Sequence, residues 1–284
     1  RYGRRTESLF KHFCKLMKLK RPSFLKKTFL TKRQRFAAGV VVLSATLFLA
    51  EHFLGGKSGL FVVFFISFLA NIFLYWALKN DLKNNFSPQV FILPFLFTLA
   101  FGLFYFSLPP RLLIQLFLTV LYAIGIYSAF LSQNIFTVSS IRTIALLSSA
   151  RTVSFVLSIF IYAFFTNTVF SSQLSFFIIL PLVFIYSFLL IVHSLWTYTL
   201  DKKFKTEIVW GIVLSICLVE ISLILWFWPS KPLVIALFLT DIFYTVVGLS
   251  HVWYEKRLFK GVLWEYVWFA FAVFLVLIFF TSWT

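Results

Sequence analysis

Five ionisable residues in long apolar surroundings are the candidates for any chemistry this chain performs. Glu220 and Asp241 fall inside apolar runs, on either side of the turn Trp228-Pro229-Ser230-Lys231-Pro232. Glu220 lies nine residues before Pro229, and Asp241 nine after Pro232. At about 1.5 Å per helical residue, both stand roughly 13 Å from the turn, near the middle of a bilayer. An ionisable group at that depth costs about 2.5–3.5 kcal/mol on insertion scales, so it calls for a functional or structural reason. Adjacent antiparallel helices would bring the two carboxyls together, where like charges in a low dielectric share a proton. Glu220 and Asp241 are therefore candidates for proton or cation coupling. The competing reading is a neutral carboxyl hydrogen-bonded to a hydroxyl on a neighbouring helix.

A second set lies nearer one membrane face. Arg151 is followed on its helical face by Ser154, Ser158 and Tyr162, and His193 and Glu207 lie at similar depth, with His251 and Glu265 close by. Arg151, His193 and Glu207 are the candidate anion-binding residues, because a guanidinium among hydroxyls suits phosphate or carboxylate. Arg151 could instead pair with Glu207 or Glu265, or reach the headgroups unaided.

The elements holding these residues follow from composition. Of 284 residues, 61% are hydrophobic and 12% charged, and mean hydropathy is +0.95. Soluble domains run nearer half apolar and a quarter charged. This excludes a soluble enzyme, a disulfide-stapled secreted domain and a disordered chain. Nine apolar runs emerge: Phe36–Phe53, Ser58–Leu78, Val90–Ser107, Leu112–Leu131, Ile144–Phe165, Leu174–Thr199, Glu207–Trp228, Leu233–Ser250 and Val262–Thr281. Each is long enough to cross a hydrocarbon core of about 30 Å as a helix, and too uniformly apolar for alternating barrel strands. The expected fold is all-α, a polytopic transmembrane bundle over residues 36–284, with Pro94 and Pro181 kinking their spans. The polar stretch 132–149 is the weakest joint, either a loop or an extension of the fifth helix.

Lys and Arg counts set the expected orientation. With the N-terminus inside, 23 basic residues fall on the cytoplasmic side and 3 outside; without the first 35 residues the ratio is still 10 to 3. An odd number of spans leaves the C-terminus outside. Residues 1–35 hold 13 of the 26 basic residues against one acid, Glu7. Leu9, Phe13 and Leu16 share a stripe beside Lys11, Lys15 and Lys18, the pattern of an amphipathic segment resting on anionic lipid headgroups. Thirty-five residues hold no nucleic-acid recognition fold, so no specific nucleic acid is expected.

Catalytic signatures are missing. Gly55-Gly56-Lys57-Ser58 resembles the end of a phosphate-binding loop, but Glu51 stands where its first glycine belongs. There is no zinc-binding His pair, serine elbow or Asp-rich magnesium motif, so no metal or cofactor is expected and any catalytic residues stay unassigned. Cys14 and Cys217 are too few for a disulfide framework.

The stretch Asn134-Ile-Phe-Thr-Val-Ser-Ser-Ile-Arg-Thr-Ile-Ala-Leu-Leu-Ser-Ser-Ala-Arg-Thr-Val-Ser-Phe155 resembles a segment of uncharacterised bacterial multi-pass membrane proteins. The resemblance covers about 22 residues. It implies a bacterial inner-membrane location and no particular activity. Three classes of function fit the sequence: a small-solute or ion carrier using Glu220 and Asp241, a membrane-embedded enzyme on a lipid-linked or phosphorylated substrate using Arg151, His193 and Glu207, or a scaffold recruiting a partner through the basic tail.

Overall fold

Apolar segments in hydrocarbon must satisfy every backbone N–H and C=O internally, so these runs fold as helices. The computed structural model describes residues 31–54, 58–82, 87–109, 111–139, 146–200 and 205–281. Among them are nine helices long and apolar enough to cross a membrane. They are α1 (Lys32–Leu54), α2 (Ser58–Leu82), α3 (Ile92–Phe106), α4 (Leu112–Ser139), α5 (Leu147–Ser171), α6 (Phe176–Thr199), α7 (Lys205–Trp226), α8 (Pro232–Tyr254) and α9 (Lys260–Phe279). The basic segment 1–30 lies outside the described residues, so the expected amphipathic tail does too.

The helix ends show local logic. Residues Pro88–Phe91 form a 3-10 turn leading into α3, which places Pro94 in the first turn of α3. A first-turn proline removes an N–H that has no acceptor within the helix, so the reason to expect a kink at Pro94 falls away. Pro181 does sit inside α6. Pro232 opens α8 after an extended Lys231. At α1, Lys32 pairs with Asp81 and the Arg35 guanidinium lies 5.1 Å over the Trp76 ring, binding the start of α1 to the end of α2.

The polar joint is resolved in favour of α4. This helix continues through Ser132, Gln133 and Thr137, all buried, and ends at Ser139. Among the described residues it is the fourth helix that extends: Gln133 faces His193, and Ser132 and Thr137 bond carbonyls of their own helix.

Helix α5 is the hub, packing against α3, α4, α6 and α8. On one flank α2 and α4 pack against α3, and α1 packs on α2 and α4. On the other, α7 packs chiefly on α6, and α8 chiefly on α5 and α9. Without a hydrophobic force between helices in lipid, close approach rests on small residues and shape. Gly211 does this between α6 and α7: a Cβ there would stand 2.5 Å from Val192 Cγ2. Stacked rings fill the interior, as in Tyr162 on Phe243 at 4.3 Å and Phe165 on Tyr186 at 5.2 Å. Their hydroxyls are bonded, Tyr186 to Thr166 at 2.9 Å and Tyr162 accepting from Ser187 at 3.3 Å. Helix α9 is peripheral, burying only Leu277 along its length.

Candidate functional site

Asp241, Tyr244, Gly248 and His251 recur at intervals of three and four, so they occupy one face of α8. That face turns into the bundle. Asp241 is 4% exposed, and neither carboxylate oxygen has a hydrogen-bond partner. It lines a cavity of about 600 Å³ between α3, α5, α8 and α9. The walls include Phe104, Phe164, Tyr244 and Phe269, and Asn167 and Thr240 also line the cavity. Thr240 Oγ1 is also buried without a partner. An ionised carboxylate held this way is expensive unless a counter-charge joins it.

Glu220 is elsewhere. It is exposed, and its neighbours one turn away, Ile216, Leu223 and Ile224, are exposed with it. It therefore stands on the outer stripe of α7 and lines no part of the Asp241 cavity. The reason is packing: α7 rests mainly on α6 and α8 mainly on α5, so the two arms of the hairpin diverge in partner. The expected juxtaposition of Glu220 and Asp241 is not what the bundle builds.

The second set sorts into two polar centres near the other end of α8. His193 is fully buried in α6. Its Nδ1–H donates to the Gln89 carbonyl of the 3-10 turn at 3.0 Å. This leaves Nε2 as an acceptor, facing Ser154 Oγ at 3.3 Å and the Gln133 amide nitrogen at 3.5 Å. One imidazole thus joins α4, α5, α6 and the turn before α3. Trp196 packs beside it at 6.0 Å.

Arg151 takes neither Glu207 nor Glu265. Its Nε donates to the Thr197 carbonyl at 3.0 Å and Nη2 to the Tyr198 carbonyl at 3.2 Å. Helix α6 ends there, at Leu200 in the left-handed region with φ 51°. Its last carbonyls have no helical donor, and a guanidinium supplies one together with positive charge at the negative helix end. Glu265 is exposed on α9. Glu207 is buried in the first turn of α7, with Oε2 unpartnered. Arg151, His193 and Glu207 make no hydrogen bond or ion pair with one another among the described residues.

Sequence reasoning gave His251 no role, yet it is a junction. It bonds Ser194 Oγ at 2.7 Å and lies between the Tyr198 ring at 4.4 Å and the Phe155 ring at 4.8 Å. Tyr198 also faces Arg151 at 4.5 Å, and Phe155 stacks on Tyr244 at 5.7 Å. An unbroken series of rings therefore runs from Arg151 to the wall of the Asp241 cavity. The three-and-four spacing of Asp241, Tyr244, Gly248 and His251 is the signal that could have linked them.

No group of His, Cys, Asp and Glu among the described residues has the geometry to hold a metal ion. Cys217 is a free, exposed thiol on α7.

One family model, described as Protein of unknown function (DUF5656), matches residues 37–280. No curated protein and no solved structure matches the chain.

Proposed function

We propose the following reading for a chain that belongs to the DUF5656 family of proteins of unknown function: a membrane carrier for a small solute or ion, with Asp241 as its coupling carboxylate. The N-terminus is cytoplasmic and the C-terminus external, in a bacterial plasma membrane. The Lys and Arg distribution supports that orientation, and the basic tail adds affinity for anionic headgroups. Membrane residence itself rests on nine described helices of spanning length and apolarity.

One observation carries the reading: a buried carboxylate with no partner on either oxygen, facing a cavity about midway along α8. Structural carboxyls in membranes are paired with other side chains or backbone, whereas acids that bind and release a proton or ion must keep a coordination position open. Glu220, outside the cavity, is the internal comparison.

The test is aqueous access. With Cys14 and Cys217 changed to Ser, Asp241→Cys is reacted with membrane-impermeant thiol reagents from each side of sealed vesicles. Labelling from one side is the expected result and identifies the face to which the cavity opens. Folded, inserted protein that stays unlabelled from both sides overturns the carrier reading.

A further inference from the structure

We infer that the Asp241 cavity binds an amphiphilic organic cation, an ammonium group on a largely apolar body, that enters sideways from the bilayer. The inference rests on the carrier reading and names its substrate class. The cavity, at about 600 Å³, is of a size that takes a whole small organic molecule rather than a bare ion. Its surface is almost wholly apolar, and four of its wall residues are aromatic. A hydrated metal ion or a sugar would find too few polar groups there to replace its water. An anion would meet an unneutralised carboxylate.

A lipophilic amine matches each feature. Its charged nitrogen supplies the counter-ion and donors that the two Asp241 oxygens lack, in a cavity also lined by Thr240, whose hydroxyl is unpartnered. Its body rests on Phe104, Phe164, Tyr244 and Phe269, whose ring faces also attract a cation. No Lys or Arg is among the residues lining the cavity, so Asp241 has no counter-ion there from the chain itself. The rim indicates the route. Leu233, Leu237 and Phe269 line the cavity and are 67%, 48% and 52% exposed on the outer surface of the helices, the surface that faces acyl chains.

The experiment uses the full chain in phosphatidylcholine nanodiscs, with empty discs as background. The probes are pyrenylmethylamine and pyrenylmethanol, which share one aromatic body and differ in charge. Binding is read by energy transfer from the protein's tryptophans. The amine is expected to bind at least about tenfold more tightly than the alcohol, the advantage of a charge-assisted contact. Asp241→Asn is expected to erase that preference and leave alcohol binding within about twofold. Leu237→Trp, which fills the rim and leaves the carboxyl in place, is expected to weaken both probes, so the inference stays testable if Asp241→Asn misfolds. Equal binding of the two probes to wild-type protein overturns the inference and makes the cavity an acyl-chain groove. Cysteine labelling at position 241 without amine preference overturns the substrate class and leaves the carrier reading standing. Amine preference without aqueous labelling does the reverse.

Discussion

Replacing Arg151 should destabilise the bundle through the end of a neighbouring helix. Its guanidinium reaches two terminal carbonyls of α6, at 3.0 and 3.2 Å, and stacks on Tyr198 at 4.5 Å. Hydrogen bonds to charged groups contribute about 1.5–3 kcal/mol each when shielded, and this side chain is half-buried, so about 1 kcal/mol apiece is the fair figure. Charge at a helix C-terminus adds about 0.3–1 kcal/mol. The stacked cation adds about 0.5–1 kcal/mol. Arg151→Met keeps the apolar stem and removes all three contributions, for a loss of about 3 kcal/mol. Arg151→Lys keeps the charge and one donor, and should lose about half as much. Reversible unfolding by sodium dodecyl sulfate in mixed micelles, followed by far-ultraviolet circular dichroism, measures both. A double-mutant cycle with Tyr198→Leu isolates the stacking as a coupling of about 0.5–1 kcal/mol. Arg151→Met within about 0.5 kcal/mol of wild type would refute the reasoning, as would Met and Lys variants of equal stability.

Two further outcomes follow from the same packing. His193→Leu strands the Gln89 carbonyl and removes the acceptor of Ser154 and Gln133, so it should lose about 1–3 kcal/mol in that unfolding assay; an unchanged midpoint would show the imidazole to be dispensable. Gly211→Ala drives a methyl to 2.5 Å from Val192 Cγ2 and should lose about 1–3 kcal/mol by parting α6 from α7. Adding Val192→Ala should restore much of that loss, and no restoration would place the damage elsewhere.

The helices were legible because hydropathy and length alone define a span. Each of the nine expected runs overlaps a described helix, and α7 begins at Lys205, two residues before the apolar run that opens at Glu207. What hydropathy hides is which face turns inward. Both faces of α7 are apolar, so its pattern does not distinguish the outer position of Glu220 from the inner one of Ser215. The short hairpin to α8 suggested contact between the two acids, but α8 found its larger surface on α5. The end of α4 misled for the opposite reason. Gln133 and Thr137 have the composition of a loop, and only His193, 60 residues away in sequence, explains why Gln133 is helical and buried. Asp241 was visible as an ionisable group in a span. The cavity around it needs Phe104, Phe164 and Phe269 from three other helices, and no local pattern announces that meeting.

The marginal attachment of α9 bears on how the protein is made. Phe269 and Val273 form one wall of the Asp241 cavity, and they belong to a helix that leaves the ribosome after α8. Until that helix is released sideways into the bilayer, the acid has lipid on a side where the finished protein has Phe269 and Val273. The insertion machinery must therefore accept α8 with its carboxyl only partly sheltered, at a penalty of about 2.5–3.5 kcal/mol that the surrounding leucines, valines and phenylalanines of α8 offset. The order of synthesis thus leaves the Asp241 cavity open to the membrane until α9 arrives, and among the described spans the helix that closes it is the one with least to hold it in place.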